Sequence, residues 1–531
     1  MNRIAIYLNQ HIDGVAYSAP SILEKYTTDR SILKYHPRLV AVPVSVMDIR
    51  RLTKFSSQLA SKNIPLPITM HGAGYNKNGA SIGSGLVVST ERMNRIQEID
   101  VRQRLVRVQC GVTIGELRKA LLLVGLELPI TGDAHETIGG LIAKNACASD
   151  NTEPKTIIEF VQQAEVVLAD GTVIQTEKLN RHNLNKKLKQ KDFEGELYRQ
   201  INTLIEKNAG TIENIKPVEK NKAGYSGITR VKTKRDFDLL PLFCGSEGTL
   251  GIITEVILKV EPIFEDPNYV AIPCDDAKQF ATIRALLKKL KFTDIEFYDT
   301  ELFNEAPNTG KSSKIFRKAN DDGYLIIANV KDDVRRDRRR KLKKLKKQIP
   351  KGMRIIEKND ETENDFVAFN ENVVAYLNDS STSYHLPIID GAYIPVKNQV
   401  EFLDGVTALA RELKLKLAVY GSIDYNTFTV RPSFTPSTSE GRRTLITFMR
   451  KYVELIDKVE GSPCGAAPEG RFLAMFTRKY MSAEELDLYG KIKQIFDPND
   501  ILNPGVKHEV EPSVVLRHFR VDYDQGIISK D

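Results

Sequence analysis

Residues 71–80 read HGAGYNKNGA and follow the apolar run of residues 65–70, so a predicted strand enters a glycine-rich loop. Gly72, Gly74 and Gly79 can adopt backbone angles that other residues avoid, and successive N–H groups can then point into one concavity suited to a phosphate. Small residues and a second predicted strand follow the loop instead of a helix, which disfavours a Rossmann-type pyrophosphate site. Taken alone, the loop fits a plain turn equally well.

Three further sequence blocks support a functional role for this loop. Residues 137–145 read TIGGLIAKN, residues 243–255 read FCGSEGTLGIITE, and residues 497–505 read DPNDILNPG. Paired glycines that open an apolar stretch, as in the first of these blocks, let a backbone approach a ligand closely. The block at residues 243–255, called the third block because the loop is counted as the first, is another glycine-dense turn before an apolar predicted strand. Together the blocks indicate a ligand site more strongly than the loop does alone.

The rest of the chain alternates secondary-structure patterns in a way that predicts more than one domain. Residues 36–262 alternate short strands and helices, and residues 160–176 fit two strands around an Asp-Gly hairpin turn. Residues 178–222 are rich in lysine and asparagine, which predicts a surface insertion. Residues 265–415 contain two strand–helix–strand units, which suit a small antiparallel sheet covered by helices. Residues 440–495 are predicted to be helical.

The composition is that of a globular protein. Of the 531 residues, 41% are hydrophobic and 27% are charged, and the length suggests about two to four domains. No window approaches the roughly 18 apolar residues of a membrane-spanning helix, and the start does not resemble a secretory signal, so a cytoplasmic protein is expected. The five scattered cysteines form no CxxC pair and indicate neither disulfides nor a zinc or iron–sulfur site.

Residues 331–351 carry the basic excess, with 12 basic and 3 acidic residues against a net charge of +8 for the whole chain. The remainder is close to neutral, which argues against a general nucleic-acid binder. Val334, Leu342, Leu345 and Ile349 fall on one side of a predicted helix. The charged side is either a solvated helix face or a docking patch for anionic lipid or nucleic acid. No aromatic residues are interleaved with the charges, which argues against binding of single-stranded nucleic acid by base stacking.

The order and wording of the four blocks resemble the FAD-linked oxidases of the vanillyl-alcohol oxidase / p-cresol methylhydroxylase (PCMH) type, and within them the D-lactate dehydrogenase and glycolate oxidase branch. The resemblance spans roughly residues 20–508 and includes the phrases at residues 25–45 and 221–227. It implies an α+β fold, in which a bipartite PCMH-type FAD-binding domain carries an inserted α+β cap (substrate) domain of antiparallel sheet and helices. The implied division is a segment at 1–35, the FAD-binding domain at 36–262, the cap at 263–440, a helical segment returning to the flavin at 441–508, and a tail at 509–531.

The resemblance also implies which residues contact FAD. The loop would wrap the pyrophosphate, the block at 137–140 would face the flavin, the strand after the third block would contact the cofactor through its backbone, and Asn503 would lie near the isoalloxazine ring. The implied cofactor residues are Gly72, Ala73, Gly74, Tyr75, Asn76, Gly79, Thr137, Ile138, Gly139, Gly140, Ile252, Ile253 and Asn503. Relatives that attach FAD covalently carry a histidine where this chain has Tyr75, so noncovalent FAD is predicted.

The chain departs from the family on the donor side. Relatives hold a divalent ion with histidines in a GHxGDGNxH-like phrase and a Glu-His-Gly phrase, whose histidine also removes the hydroxyl proton. Here the first phrase is residues 420–429, with Ser422 and either Phe428 or Thr429 at the histidine positions, and residues 468–470 read Pro-Glu-Gly. Serine, threonine and phenylalanine cannot replace histidine as metal ligands. We therefore predict no catalytic metal.

The residues left to serve the donor are few. Glu469 stands at the position of the family base, and Asn426 keeps the family asparagine. The arginine with which relatives clamp a substrate carboxylate is not identifiable, and its region offers Tyr384 and His385 instead. The predicted catalytic residues are thus Glu469, His385, Asn426 and Tyr384. Two arginines, Arg431 and Arg471, are substitute clamps whose alternative role is surface ion pairing.

These features predict an FAD-dependent oxidoreductase that oxidises an alcohol or a 2-hydroxy acid by hydride transfer to flavin N5, with the family metal site lost. The alternative is a non-catalytic FAD-binding protein with a decayed substrate site and a basic docking helix. The expected partners are a small-molecule donor and an electron acceptor that the sequence does not identify, with no nucleic acid. The basic helix is a candidate for peripheral contact with the inner face of a membrane.

Overall fold

The computed structural model describes residues 3–149, 154–263, 268–300, 302, 323–330, 335–359, 362, 366, 369, 373, 389–433, 435–507 and 510–521. The chain divides into two compact units. The first unit combines Met1–Ala148, Lys155–Ile263 and Ala467–Phe519, and the second consists mainly of Phe264–Ala466. The first unit is therefore built from both ends of the sequence, and the predicted α+β class with an inserted domain is confirmed.

The strands of the described residues are, in chain order, β1 (Val15–Tyr17), β2 (Leu39–Val42), β3 (Ile68–His71), β4 (Leu86–Ser89), β5 (Ile96–Asp100), β6 (Leu105–Gln109), β7 (Leu126–Glu127), β8 (Val161–Val167), β9 (Val173–Gln175), β10 (Leu179–Asn180), β11 (Asp236–Phe237), β12 (Ile252–Lys259), β13 (Glu261–Pro262), β14 (Tyr269–Cys274), β15 (Thr293–Asp299), β16 (Tyr324–Asn329), β17 (Ile356–Glu357), β18 (Ile389–Tyr393), β19 (Leu417–Ser422) and β20 (Thr427–Pro432).

The α-helices are, in the same order, α1 (Arg3–Asn9), α2 (Pro20–Leu23), α3 (Val46–Ala60), α4 (Ile114–Leu122), α5 (Ile138–Ala143), α6 (Arg181–Leu188), α7 (Phe193–Lys207), α8 (Ala209–Asn214), α9 (Leu240–Phe243), α10 (Ala277–Lys289), α11 (Arg335–Gln348), α12 (Gln399–Leu413), α13 (Ser439–Lys458), α14 (Ala474–Thr477), α15 (Ala483–Phe496) and α16 (Pro512–Arg517). None of these described helices combines the length and the apolarity that a membrane crossing needs.

Two sheets frame the first unit. In the four-stranded sheet, of order β1–β2–β4–β3, strands β2, β4 and β3 run parallel and β1 runs antiparallel. The five-stranded sheet, of order β5–β6–β12–β8–β9, is antiparallel throughout. Strand β3 ends at His71, where the glycine-rich loop begins. Strand β12 begins at Ile252, directly after Gly251, the last glycine of the third block. Both blocks are thus fixed by strands of the frame.

Helix starts in this unit follow local capping chemistry. The side chain of Thr113 accepts a hydrogen bond from the N–H of Glu116, whose carboxylate reaches back to the N–H of Thr113 and closes a capping box at the start of α4. The Thr137 hydroxyl caps α5 in the simpler way, by accepting from the N–H of Gly140 at 3.2 Å. The polar residue before each apolar run therefore fixes where these helices begin.

Residues 178–222 do not form the predicted surface insertion. They fold into α6, α7 and α8, and α7 buries Leu197, Tyr198, Ile201 and Leu204 in the main core of the first unit. The apolar residues recur with the period of a helix, and most of the lysines are exposed, although Lys222 is buried. This segment therefore packs into the core of the first unit, and most of its basic residues lie on the side that faces solvent.

The second unit contains a seven-stranded antiparallel sheet of order β17–β14–β16–β15–β19–β20–β18. Aromatic rings from four elements meet on it, with Phe428 of β20 lying 4.9–6.4 Å, ring centre to ring centre, from Phe280, Phe297 and Phe402. Helices α12 and α13 pack together, so that α13 belongs to this unit. The chain therefore returns to the first unit at Ala467, later than the predicted boundary at residue 440.

The basic segment is a helix, α11, as the pattern predicts. Leu342 and Leu345 are buried, and Ile349, just beyond the helix, is half-buried. Val334, predicted on the same side, lies outside the described residues. Apolar leucines at this spacing hold one side of the helix against its unit and leave the charged side to solvent.

Candidate functional site

A cleft opens in the first unit where three of the glycine-bearing blocks converge. Most of the predicted cofactor residues line it, namely Gly72, Ala73, Gly74, Tyr75, Asn76, Thr137, Gly139, Gly140, Ile252 and Ile253. The cleft therefore brings together residues that lie nearly 200 positions apart in the sequence.

The loop after β3 presents main-chain donors to this cleft. Among the described residues, no acceptor takes a hydrogen bond from the N–H groups of residues 72–76. The Asn76 side chain holds the loop open, because its Oδ1 accepts from the N–H of Asn78 at 2.8 Å and of Ala80 at 2.9 Å. Gly74 has a φ of +72°, in the region that favours glycine. The result is a run of unused amides suited to an anionic ligand.

The start of α5 approaches the loop so closely that side chains would not fit. A Cβ placed on Gly72 would lie 2.4 Å from the Thr137 hydroxyl oxygen, and one on Gly139 would lie 2.9 Å from the Cβ of Cys110. Both contacts are shorter than real Cβ atoms make. Glycine at these two positions is therefore required by the close approach of the Thr137 and Cys110 side chains, which also shapes the wall of the cleft.

Tyr75 lies between two basic side chains. The guanidinium of Arg30 lies over its ring at 3.6 Å from the ring centre, and the ring of His135 stacks at 6.2 Å. Burial raises the pKa of the Tyr75 phenol, while Arg30 lowers it. The main-chain N–H of Arg30 also donates to the carbonyl of Gly74 at 3.2 Å. The position that is a histidine in covalent relatives is thus a tyrosine held in a cation–π contact.

An ion pair stands on the wall of the cleft. Lys144 donates to both carboxylate oxygens of Glu136, at 2.9 and 2.6 Å, and both residues line the cleft. Lys144 follows the last residue of α5 and Glu136 precedes its cap, so one short helix positions both charges. The pair places a cation and an anion side by side without adding net charge to the site.

The third block contributes more than the two isoleucines predicted from it. Ser246, Glu247 and Gly248 also line the cleft. The Glu247 carboxylate is buried and its Oε1 has no hydrogen-bond partner among the described residues, as is true of Thr90 Oγ1 on the same cleft. Sequence reasoning quoted this block but missed Glu247, because no pattern within the block distinguishes a buried carboxylate from an exposed one.

Three predicted cofactor residues are not on the cleft lining. Ile138 is buried in the core, and a Cβ on Gly79 would meet Leu33 at 2.6 Å. Asn503 lies beneath the cleft, where its amide donates to the carbonyls of Ala80 and Glu247 at 2.8 Å each. Its Oδ1 accepts from Thr69 and Arg471. Asn503 therefore joins the loop, the third block and the C-terminal segment into one structure.

Glu469, the predicted base, is fully buried in the first unit and does not line the cleft. Its Oε1 accepts from the N–H of Gly224 at 2.7 Å, and its Oε2 accepts from Lys507 Nζ at 3.0 Å. Lys507 also lies 3.7 Å from Glu247 Oε2. Both carboxylate oxygens of Glu469 thus accept hydrogen bonds, and Glu469 forms an ion pair with Lys507. The role of Glu469 as a catalytic base stays a prediction.

The other donor-side predictions fall in the second unit. Asn426 occupies the tight turn between β19 and β20 with a φ of +54°, and its Oδ1 accepts from Gln399 at 3.1 Å. Tyr384 and His385 lie outside the described residues. Within the part of the chain that the structure describes, no group of three or more His, Cys, Asp or Glu side chains is arranged to hold a metal ion.

Both candidate arginines are buried and therefore do not lie on the surface, where the sequence analysis had allowed for ion pairing. Arg431 and Arg471 are 4% and 5% exposed. The Arg471 guanidinium donates to the carbonyl of Ile82 at 3.1 Å, to that of Pro504, and to Asn503 Oδ1 at 2.9 Å. Burial lowers its pKa. Arg471 is therefore a buried tie between segments, because its planar fork can serve several acceptors at once.

Comparison with known families identifies the class. The model described as "FAD binding domain" matches residues 37–177, and the one described as "FAD linked oxidases, C-terminal domain" matches residues 265–506. The chain belongs to the FAD-linked oxidases, and FAD is its cofactor. The resemblance stated from the sequence blocks is confirmed.

Individual relatives agree with this class. D-2-hydroxyglutarate dehydrogenase of Haemophilus influenzae is 24% identical over 98% of this chain and 53% of that protein. The glycolate oxidase subunit GlcD of Bacillus subtilis is 24% identical over 92% of this chain and 95% of that protein. The crystal structure of p-cresol methylhydroxylase shares the fold, with a TM-score of 0.68, 13% identity and 93% of each chain covered. The chain spans about half the length of the first curated relatives it matches.

The cleft fits this cofactor. The unused amides of residues 72–76 suit a pyrophosphate, since backbone N–H groups can hold an anion without an arginine. The places where a Cβ would collide, at Gly72 and Gly139, keep two walls free of side chains. Buried polar atoms that lack a described partner, at Thr90 and Glu247, offer hydrogen bonds to a bound molecule.

Proposed function

We propose that the protein is an FAD-dependent oxidoreductase that oxidises an alcohol or a 2-hydroxy acid, with FAD held noncovalently and without the family's metal ion. The observation that carries the proposal is the cleft lined by three glycine-bearing blocks, with its run of unpaired amides at residues 72–76. Dehydrogenases of D-2-hydroxyglutarate and a glycolate oxidase subunit among the relatives support a hydroxy-acid donor. When bound, FAD supplies the acceptor for the hydride that leaves the donor carbon.

The chain's own residues have three tasks in this proposal. Residues 72–76 bind the pyrophosphate through main-chain N–H groups, and the α5 start orients the cofactor by close backbone approach. Ile252 and Ile253, at the start of β12, provide an apolar wall that excludes water. Among the predicted catalytic residues, Glu469 or His385 would remove the proton of the donor, and Asn426 would hydrogen-bond the donor, with Tyr384 next to His385 in the sequence. Both carboxylate oxygens of Glu469 already accept hydrogen bonds, from Gly224 and Lys507.

The test is anaerobic mixing of the yellow protein with a panel of D- and L-2-hydroxy acids and aryl alcohols. Bleaching of the flavin absorption band by one donor class supports the proposal, and the donor that bleaches fastest names the substrate class. Dithionite serves as the control, since it shows that the bound flavin is reducible. A flavin that dithionite bleaches but no donor does would overturn the enzymatic proposal and favour the non-catalytic FAD-binding alternative, which the engaged carboxylate of Glu469 and the buried Phe428 already favour.

Noncovalent attachment has its own readout. Tyr75 offers a phenol whose pKa is raised by burial, which keeps it neutral and a poor nucleophile, at the position of the family's linking histidine. Denaturing electrophoresis should release the flavin, so that the protein band shows no flavin fluorescence. Fluorescence that stays with the band would contradict noncovalent attachment, and a Tyr75→Phe variant would then show whether the phenol is the linking group.

For the basic helix we propose contact with an anionic membrane surface. Arg336, Arg339, Arg340 and Lys343 line a shallow groove on the solvent side of α11, whose leucines are buried on the other side. This arrangement gathers positive charge that anionic headgroups would neutralise.

Vesicle co-sedimentation tests the contact. Binding is expected to vesicles that contain phosphatidylserine but not to pure phosphatidylcholine, to weaken as salt rises, and to fall in the variant Arg336→Glu/Arg339→Glu. The control variant Lys62→Glu/Arg102→Glu reverses two exposed cations of the first unit and should bind like the wild type. Binding that ignores salt, or no binding at all, would rule the contact out.

A further inference from the structure

Glu247 lines the cofactor cleft and carries one buried carboxylate oxygen without a hydrogen-bond partner among the described residues. The residue is 6% exposed and its backbone has a φ of +54°, which is uncommon for a residue with a side chain. Its Oε2 accepts from the N–H of Gly470 at 3.0 Å, whereas Oε1 has no partner among the described residues. A buried polar atom without a partner costs free energy, so the arrangement calls for a ligand atom at Oε1.

The charges around Glu247 favour its neutral form. Lys507 Nζ lies 3.0 Å from Glu469 Oε2 but 3.7 Å from Glu247 Oε2, and the side chains of all three residues are almost fully buried. The nearer carboxylate, which also accepts from the N–H of Gly224, is the better compensated anion. Two carboxylates that share one ammonium in a dry environment cannot both ionise easily, and the proton then belongs to Glu247.

Other groups that face Glu247 act in both directions. Its pKa is raised to about 7 by the sum of these influences: burial, the largest, and Glu469 raise it, while Lys507 and the N–H of Gly470 lower it. Asn76 also lowers it, although its amide does not reach hydrogen-bond geometry with Oε1. The Arg471 guanidinium interacts electrostatically with Glu247 from the C-terminal segment, and the Glu136–Lys144 pair stands on the same cleft.

We propose that Glu247 is a cofactor-contacting residue, and that its neutral carboxyl group donates a hydrogen bond from Oε1 to an acceptor atom of bound FAD. The position of the proton follows from the geometry: Oε2 already accepts from Gly470, so the O–H of the neutral acid is on Oε1, the atom without a protein partner. The proposal rests on FAD occupying the cleft and is independent of any oxidation that the protein performs.

A pH dependence of FAD binding follows. Above neutral pH, Glu247 loses its proton, the donor becomes an acceptor, and a negative charge appears beside a cofactor whose pyrophosphate is itself anionic. FAD affinity should therefore fall as the pH rises through about 7. By the same linkage, FAD binding at pH values above that point takes up a proton, because the bound state favours the neutral acid.

The variant Glu247→Gln separates charge from hydrogen bonding. Its amide oxygen can accept from Gly470 while its NH₂ group donates to FAD, so it mimics the neutral acid at every pH. Glu247→Leu removes the donor at similar size. Glu296→Gln serves as the control, because it makes the same substitution at a carboxyl group of the second unit, where Glu296 accepts a hydrogen bond from the Tyr298 hydroxyl at 2.6 Å.

The experiment titrates FAD into apoprotein between about pH 5 and pH 9, following the quenching of flavin fluorescence, with the fold of each variant checked by circular dichroism. Wild type and Glu296→Gln are expected to lose about tenfold or more in affinity across this range. Glu247→Gln should bind at all pH values as the wild type does at low pH, and Glu247→Leu should bind weakly throughout. Calorimetry in two buffers of different ionisation enthalpy should detect proton uptake by the wild type near pH 8 but none by Glu247→Gln.

Two results would overturn the proposal. One is a wild-type affinity that does not change with pH together with unchanged binding by Glu247→Leu, which would show that Oε1 does not contact FAD. The other is a Glu247→Gln variant that keeps the wild-type pH dependence, which would assign the titration to another group. Failure of the wild type to bind FAD at any pH would instead remove FAD from this cleft, whereas absence of donor oxidation with normal FAD binding leaves the Glu247 proposal standing.

Discussion

The cleft of the first unit and the β19–β20 hairpin of the second unit handle their polar groups in opposite ways. In the cleft, the amides of residues 72–76 and Glu247 Oε1 have no described protein partner. In the hairpin, Asp424 accepts from Lys288 and from the N–H of Ile295, Asn426 accepts from Gln399, and Phe428 is buried among other aromatic rings. The resemblance described from the sequence implies metal-binding histidines in the phrase that forms this hairpin, where this chain has Ser422 and either Phe428 or Thr429.

The polar groups of the cleft are left without protein partners and can bind a ligand, whereas the named polar groups of the hairpin form hydrogen bonds within the chain. Buried polar atoms without hydrogen-bond partners lower the stability of the folded protein. Such atoms are retained at sites where a bound molecule supplies the missing hydrogen bonds. The hairpin has instead filled its positions with groups that bond to one another or pack in the core. The cleft therefore leaves polar groups available to a bound cofactor, whereas the hairpin groups named here are engaged by the chain itself.

The largest expected effect is on the hairpin. Phe428→Ala should lower the free energy of unfolding by about 3–5 kcal/mol, because it leaves a cavity among three aromatic rings. Urea unfolding followed by circular dichroism measures it, and FAD affinity should not change by more than about twofold. Phe428→Leu, the milder variant, should cost less. If Phe428→Ala abolished FAD binding in protein that is still folded, the division of roles between the two regions would be wrong.

A pH-dependent stability of the apoprotein should come next in size. The pKa of Glu247 is raised from 4.5 to about 7 in the folded protein, so the folded state holds more protons than the unfolded state between these values. Stability should therefore fall as the pH rises from about 4.5 to 7, with this residue contributing about 3 kcal/mol. Chemical denaturation at several pH values should show a shallower fall in Glu247→Gln. An equal or steeper fall in that variant would contradict the assignment.

A smaller effect distinguishes the cleft loop from an ordinary turn. Gly74 and Gly125 have nearly equal positive φ values, +72° and +71°, but a Cβ on Gly74 would meet the His71 ring at 3.3 Å, and one on Gly125 would meet nothing within 4 Å. Both Gly→Ala changes should cost about 1–2 kcal/mol of stability through backbone strain. Only Gly74→Ala should weaken FAD binding, by about tenfold, as measured by flavin fluorescence. Equal affinities for the two variants would mean that the loop does not contact the cofactor.

Removal or addition of metal ions is expected to have no effect on stability or activity. Dialysis against EDTA, and subsequent addition of zinc or manganese, should leave both the thermal unfolding temperature and any donor-dependent bleaching of the flavin unchanged. The physical reason is the side chains at the hairpin positions, since serine, threonine and phenylalanine are poor transition-metal ligands. Elemental analysis of the purified protein is the direct measurement. A stoichiometric transition metal would show that residues other than the family histidines now bind it.

Sequence reasoning reached the cleft because its function depends on backbone. Gly72, Gly74 and Gly139 mark places where side chains do not fit, and that requirement is visible in the residue type alone. The class of cofactor followed from the order of the blocks. What a residue contributes through its surroundings could not be predicted: whether Glu247 is buried, and which of its oxygens lacks a partner, depends on Gly470 and Lys507 more than 220 positions away.

Two other expectations show the same limit. The segment at 178–222 was expected on the surface because lysine-rich composition hides the helical spacing of Leu197, Ile201 and Leu204. Asn503 was expected beside the flavin ring, which stays a prediction, and the sequence did not indicate that four separate segments hydrogen-bond its side chain. A motif indicates that a residue matters, but only the fold shows which neighbours it serves.

The pairing of residue 68 with the far end of the chain has a consequence for how the protein is made. The N–H of Ile68 donates to Ile501 at 2.7 Å, and the N–H of Asn503 donates back to Ile68 at 2.8 Å, so β3 gains its outer neighbour from a segment more than 430 residues later. During synthesis the ribosome must therefore add more than 430 residues after β3 before this edge is covered. Until then the nascent first half carries an open strand edge that is prone to misassembly, and chaperones that shield such edges should associate with translating ribosomes long after the glycine loop has emerged.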